Sequence, residues 1–354
     1  MKLVLIGDGQ SPHLLKWARA LSPSVELWAA SSRGFTPEFE ALLPAERRLA
    51  LQTDPAHGGG NVGLLKKLPM LGQWLSKIDA DWINAHYLTS HGTLAWAAKR
   101  GWRLRAHIAG SAWGSDILVT PQQSFAYRWL TQRVLRACTV CSSDSQHMTA
   151  RMKELGAREV MTFPFGLESL PRQGARKEPW LFFANRGLEP LYRPERVIAA
   201  FAAVAAQRPE ARLVVANEGS LKSVLQQQVK TLGLADRVEF VGRLAAKAQA
   251  GFYARARWYL SLPESDSVAV SVLEAMAHEC VPILSDLPAN HELIDASRGV
   301  ILPYAEITRL PALLQGLRPE AAGAANRAWV ARHGLFAPAV QGFLSRLKKE
   351  ELPS

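Results

Sequence analysis

The 354-residue chain reads as an α/β protein of two parallel-sheet domains, on three observations. Short β-branched or aliphatic runs alternate with longer helical stretches through almost the whole length, which is the pattern of parallel strands covered by helices on both faces. A polar segment, ESLPRQGARKEP at 168–179, breaks that alternation with Pro171, Gly174 and Pro179 and reads as a linker over 171–179. About six candidate strands fall on each side of the break, so the pattern favours two Rossmann-like domains in tandem over one barrel.

The elements follow in order. KLVLIG at 2–7 opens the chain directly as a strand, which leaves no expected leader segment. VELWAA (25–30), WINAH (82–86), LRAHI (104–108), CTVCS (138–142) and EVMTF (159–163) complete a first domain over 1–170. WLFFA (180–184), RLVVA (212–216), RVEFV (237–241), RWYLSL (257–262) and VPILS (281–285) form a second domain over 180–335. Apolar residues at three- and four-residue spacing mark the intervening helices, for example 193–207 and 220–232. A last helix, roughly 336–350, has no strand after it and is free to pack back on the first domain. In sheets of this kind ligands bind beyond the carboxyl ends of the strands.

Composition and charge narrow the classes of function. With 48% hydrophobic and 21% charged residues the chain is globular, not disordered, and its longest apolar runs are strand-length, far short of a bilayer span. The net charge of +11 is uneven: residues 1–177 hold 22 basic and 13 acidic side chains, residues 178–354 hold 20 and 18. The first half therefore suits a polyanion. Basic and aromatic residues interleave at 66–74 (KKLPMLGQW) and 96–103 (WAAKRGWR). An anionic membrane surface would be met by such a patch, and a solvated helix face with inward tryptophans would read the same way. No nucleic-acid motif accompanies the charge, so nucleic acid is not an expected partner. Cys138, Cys141 and Cys280 are an odd, sparse set that fits reduced thiols, and the CxxC of the first two lies in an apolar strand with no second pair.

The richest motif is PESDSVAVSVLEAMA at 263–277. A strand ends in a small polar loop and a helix begins near 268–271, where free backbone amides and the helix dipole favour an anion. Asp266 precedes that helix and Glu274 lies about one turn inside it. Taken alone, Asp266 or Ser267 could simply cap the helix with Glu274 solvated. Together with VPILSDLPANHELI at 281–294, the run resembles the nucleotide-sugar site of GT-B glycosyltransferases, in particular the large retaining family four, which carries a Glu-x7-Glu motif there; this chain has Asp266 in the first position.

The resemblance implies a GT-B fold, two Rossmann-like domains facing across a cleft. It also implies that Asp266 and the amides of Ser267, Val268, Ala269 and Val270 face the donor hexose and diphosphate, and that Glu274 takes the ribose hydroxyls. FFANRGLEPLYRPERVIAAF (182–201) is similar to the family's first donor-domain strand and loop; Arg186 matches its diphosphate arginine, and the lysine position falls at Leu191 or Tyr192 with Arg193 adjacent. DRVEFVGRL resembles a segment flanking the base, with Gly242 and Arg243 beside it. In the first domain GDGQSPHLLKWARAL (7–21) suits the family's first loop: Pro12 occupies the third glycine position of a dinucleotide fingerprint, Gly9 approaches the diphosphate, and His13 lies on the acceptor side. NAHYLTSHG (84–92) is similar to a strand ending in His near the acceptor, which selects His86 over His91; AGSAWGSDIL (109–118) matches an H-G-x-D loop with Trp113 in the His position and Asp116 as the acid. Asp79-Ala80-Asp81 spells a metal-diphosphate motif of another fold but precedes its strand, and reads as a solvated turn.

The expected activity is metal-independent, retaining transfer of a hexose from a UDP- or GDP-linked sugar to a hydroxyl acceptor, lipid-linked or on a cell-surface saccharide. The nucleotide sugar is a co-substrate, and neither cofactor nor metal is expected. The expected location is cytoplasmic or peripheral at the inner face of the cell membrane. A non-catalytic GT-B nucleotide-sugar-binding or scaffold protein is the alternative. A nicotinamide-dependent oxidoreductase is disfavoured because the third glycine is missing and the second strand ends in Ala29-Ala30-Ser31.

Overall fold

The structure is a computed structural model that describes residues 1–53, 62–173 and 176–351. Residues 174 and 175 of the expected linker lie outside the described residues, as do 352–354. The chain divides into two compact units, Met1–Pro164 with Phe336–Ser354, and Phe165–Leu335.

The first unit is a seven-stranded parallel sheet of β1 (Lys2–Gly7), β2 (Glu26–Ser31), β3 (Arg48–Ala50), β4 (Trp82–His86), β5 (His107–Ser111), β6 (Val140–Ser143) and β7 (Val160–Thr162), in the order β3-β2-β1-β4-β5-β6-β7. β1 and β4 are buried almost throughout, as central parallel strands must be when helices cover both faces. The helix Pro12–Leu21 follows β1 with Ser11 accepting from the His13 amide as its cap. A π-helix, Tyr87–Gly92, follows β4 and runs into the helix Thr93–Gly101. The helix Phe125–Ala137 leads to β6 and buries Thr131, Val134 and Leu135. The chain returns to this unit at its end, where the helix Phe336–Glu351 places Phe336 and Phe343 edge-on to Trp17 at 5.2 and 5.3 Å. Arg346 clamps Glu159 there with two 2.7 Å bonds.

The second unit is a six-stranded parallel sheet of β8 (Glu178–Ala184), β9 (Arg212–Ala216), β10 (Val238–Gly242), β11 (Ala256–Ser261), β12 (Val281–Ser285) and β13 (Val300–Leu302), in the order β10-β9-β8-β11-β12-β13. One face is packed by the helix Pro194–Ala205 around Phe182, Phe201 and Trp258, the other by the helices Ala246–Arg255 and Val270–Ala277 around Phe183, Tyr253 and Leu273.

Three boundaries differ from the sequence reading. Residues 165–170, assigned above to the first domain, belong to the second unit: Gly166 lies flush against Gly334, where a Cβ would come within 1.8 Å of its carbonyl oxygen, and the Leu167 amide donates to that oxygen at 2.8 Å. β8 begins at Glu178, inside the expected linker. The strand expected at 104–108 runs instead over His107–Ser111. Its small residues have weak strand propensity, but Gly110 fits against Leu88 and Cys138, where a Cβ would come within 2.9 Å of both.

Candidate active site

Each sheet carries a polar cluster at its carboxyl edge. In the second unit β8 delivers Asn185 and Arg186. Asn185 is buried; its amide nitrogen donates to Tyr253 Oη at 2.8 Å and its amide oxygen accepts from Tyr259 Oη at 2.7 Å. Those two bonds lock the residue that precedes Arg186. The Arg186 guanidinium donates to Asp266 Oδ2 at 2.6 Å and to Ser271 Oγ at 3.3 Å, and lies 4.5 Å from the Tyr192 ring. These bonds use two of its five N–H donors, and Nε is buried and makes no hydrogen bond. The other oxygen of Asp266 accepts from the Ser267 amide at 3.0 Å. Burial pushes the Asp266 carboxyl up, against the pull of Arg186 and the Ser267 amide.

The helix Val270–Ala277 begins without a side-chain cap, and its first amides, those of Val270 and Ser271, have no intrahelical acceptor. Ser267, Val268 and Ala269, which lead into this helix, are buried. Glu274 lies one turn on; its Oε2 accepts from Tyr253 Oη at 3.0 Å and Gln249 Nε2 at 3.2 Å. Burial, with Tyr259 and Glu274 adding, raises the Tyr253 pKa well above the ordinary tyrosine value and so keeps that hydroxyl a donor. The same edge continues through Asn217, which donates from Nδ2 to the Asn185 carbonyl at 3.1 Å and from its amide to Gly242 O at 2.6 Å. Gly242 has φ +68°, a left-handed conformation that glycine adopts without strain. Arg243 beside it is exposed.

Arg193 is placed differently from the expectation. Its guanidinium is engaged by Glu264 and, at 3.5 Å, by Glu195. The Glu264 amide also donates to Leu191 O at 3.1 Å. Arg193 thus ties the 189–193 loop to the 263–267 loop; its charge is met by two carboxylates and is not directed at Arg186.

In the first unit the structure brings His13, His86, Trp113 and Asp116 together, but with different duties. Trp113 Nε1 donates to His86 Nδ1 at 3.1 Å, which fixes the tautomer, so His86 Nε2 donates to Asn84 Oδ1 at 3.0 Å. Asn84 in turn donates to Ser111 Oγ at 3.0 Å, which accepts from Ser142 Oγ at 2.9 Å. Both ring nitrogens of His86 are spent inside the fold, and burial lowers its pKa to about 3, helped by His91 and His13. Asp116 is equally committed: its oxygens accept from the amides of Leu88 at 2.8 Å and Trp113 at 2.9 Å, and burial pushes it up to about 6 against those bonds. His86 and Asp116, expected among the catalytic groups, both hydrogen-bond to Trp113 here, His86 to its ring and Asp116 to its amide. What they present is aromatic: the Trp113 ring lies 4.7 Å from the His13 ring and 6.4 Å from Tyr87, nearly parallel to it at 10°. Tyr87 holds a left-handed φ of +64°, a strained conformation for a bulky residue.

Gly9 is accounted for by packing. Its amide donates to Ser31 Oγ at 2.8 Å, and a Cβ would fall 2.5 Å from Phe35 and 2.7 Å from Gly34 O. Asp81 of the decoy motif accepts from the Lys2 amide at 2.6 Å, at the opposite end of the strands. Sequence reading missed Asn185, Tyr253, Ser271 and Tyr87. Asn185 and Tyr87 directly adjoin residues it selected, whereas Tyr253 comes from the last turn of the Ala246–Arg255 helix with no motif around it.

Known proteins share this architecture. The chain superimposes on Anabaena HepE in complex with UDP-glucose (TM-score 0.78, 15% identity, 99% of this chain and 100% of that one). It also superimposes on sucrose-phosphate synthase from Thermosynechococcus elongatus (TM-score 0.79, 16% identity, 99% and 100%). Two parallel-sheet units of this kind are the GT-B fold of glycosyltransferases. The Glycosyl transferase 4-like model matches residues 2–145 and the Glycosyl transferases group 1 model residues 168–315, and the chain belongs to that family-four-like group. A curated relative, alpha-monoglucosyldiacylglycerol synthase of Streptococcus pneumoniae, is 29% identical over 123 residues, which span 35% of this chain and 28% of that protein.

Proposed function

We propose that the protein transfers a hexose, with retention, from a nucleoside diphosphate sugar to a hydroxyl of a saccharide or lipid-linked acceptor, without a metal. The observation that carries this reading is the meeting of Arg186, Asp266 and the uncapped start of the Val270–Ala277 helix at one strand edge, with Glu274 one turn further. A diphosphate at that edge would take the remaining N–H groups of the Arg186 Nη atoms and the amides of Val270 and Ser271. Glu274, oriented by Tyr253 and Gln249, would accept from ribose hydroxyls. Gly242 and Arg243 would border the base.

In this reading the glycosidic bond breaks as negative charge builds on the leaving diphosphate, and Arg186 with the helix amides offsets that charge. The sugar acquires oxocarbenium character, and the acceptor hydroxyl attacks the face the diphosphate leaves. Its proton passes to the departing phosphate oxygen, so no enzymic nucleophile is needed. Asp266, with both oxygens already engaged and one methylene shorter than the family's glutamate, orients Arg186. The acceptor would lie on the Trp113–His13–Tyr87 surface.

Calorimetric titration of UDP, GDP and their sugars in the presence of EDTA tests the donor site. One nucleotide is expected to bind selectively, and Glu274→Gln to weaken it at least about tenfold through loss of a charge-assisted bond. Binding that needs a divalent ion, or that Glu274→Gln leaves unchanged, overturns the assignment. Proton NMR of the product's anomeric signal tests retention.

A further inference from the structure

The segments that attracted attention in the sequence as a basic aromatic face do not present their tryptophans. Trp74 packs on Trp28 with centroids 6.0 Å apart, Trp96 lies against the apolar core of the first unit, and Trp102 covers Gly72 so closely that a Cβ there would clash at 2.3 Å. Two exposed aromatics lie instead on the helix Phe125–Ala137. Phe125 is 84% exposed and Trp129, one turn on, is 44% exposed. Arg128, Arg133 and Arg136 are exposed on the same helix, with Arg133 lying 5.2 Å over the Trp129 ring. Residues 117–143 contain these three arginines and no acidic residue. Thr131, Val134 and Leu135 point inward, and the added-Cβ position at Gly92 lies 2.9 Å from Val134, so the inner face of the helix packs on the π-helix that carries Tyr87.

We propose that the outer face of the Phe125–Ala137 helix docks on an anionic lipid surface, Phe125 and Trp129 entering the headgroup boundary and the three arginines pairing with lipid phosphates. Aromatic side chains that reach outward cost free energy in water and gain it at an interface, and three arginines on a helix with no carboxylate of its own are complementary to anionic lipid, whereas a neutral surface gains nothing from those charges. The packing of this helix on the Tyr87 segment would bring a lipid-held acceptor to the aromatic surface; that last step alone rests on the proposed function.

The test is co-flotation of the full chain with vesicles of phosphatidylcholine alone or with 30% phosphatidylglycerol. The native chain is expected to float with the anionic vesicles at low salt and to be released at high salt. Phe125→Ser with Trp129→Ser should weaken binding at least about tenfold. Arg128→Gln, Arg133→Gln and Arg136→Gln together should weaken it about 100-fold, at about fivefold for each charge. Nucleotide titration on the same variants should be unchanged, which shows them folded. Equal flotation with neutral and anionic vesicles, no flotation, or native-like binding by both variants overturns the proposal, as does a native chain that self-associates through this face instead. Loss of nucleotide binding in the native chain would defeat the proposed function and leave this result standing.

Discussion

Arg186 and Asp266 form a largely buried ion pair at the second sheet's carboxyl edge, 2.6 Å apart and each with a side chain only 19% exposed. Removing one partner leaves the other poorly solvated and unpaired, which is costlier than removing both. Arg186→Ala is therefore expected to lower stability by about 3 kcal/mol in urea unfolding, and the double variant with Asp266→Ala to recover part of that loss. Activity should behave otherwise: donor turnover should fall about 100-fold or more in both, because the charge proposed to meet the diphosphate is absent in both. Recovery of turnover in the double variant would show that Arg186 serves only the fold. These two residues, with Glu274, are legible in the sequence through the family resemblance of the runs that carry them, since a strand-to-helix handover alone would leave Asp266 a simple cap and Glu274 a solvated residue. Tyr253 and Asn185 are not, since their roles arise from packing across the Ala246–Arg255 helix and carry no local pattern. His86 and Asp116 show the converse: their positions are legible, but only the structure reveals that both hydrogen-bond to Trp113.

The π-helix Tyr87–Gly92 concentrates titratable groups in a dry environment, and its stability should depend on pH for that reason. His91 donates from Nδ1 to the His86 carbonyl at 2.7 Å, while its Nε2 is buried without a partner, and burial lowers its pKa to about 4. His86 is lowered further, to about 3. A histidine depressed in the folded state contributes stability that is complete above its unfolded pKa near 6.5 and is lost as pH falls toward the folded value. Asp116, raised to about 6, works the other way: its contribution is complete below about 3.8 and is lost as pH rises through 6. Two histidines outweigh one carboxyl, so the first unit should lose about 2–3 kcal/mol between pH 7 and pH 5. His91→Asn keeps a donor for the His86 carbonyl and should cut that loss to about a quarter in unfolding curves taken across the range, because the one remaining histidine is then largely offset by Asp116. An unchanged slope would remove His91 from the account. Periodicity cannot reveal such an element, because a π-helix adds a residue to a turn without a pattern of its own. Length hides β3 and β13 in the same way: three residues each are too few to show alternation, and both strands exist because a sheet edge is available to pair with.

The chain's last helix, Phe336–Glu351, completes the first unit although all of the second unit precedes it, and its apolar face explains the choice. Phe336, Phe343 and Leu347 are each at most 1% exposed, and the first two pack on Trp17, itself fully buried. The sequence shows this helix and its amphipathic spacing but not its destination, because nothing local distinguishes one apolar groove from another. If the two units keep separate cores, heat should resolve them and each should answer to its own perturbation. Phe343→Ala opens a cavity beside Trp17 and should cost the first unit about 3–5 kcal/mol, moving one calorimetric transition down and leaving the other in place. A nucleoside diphosphate at 100 times its Kd should add about 2.7 kcal/mol to the second unit only. Adding the nucleotide to Phe343→Ala protein should thus widen the gap between the transitions, one lowered by the cavity and the other raised by the ligand. A single transition that responds to both would mean that the cores melt cooperatively. A nucleotide that raises the transition lowered by Phe343→Ala would move the donor site from the second sheet to the first.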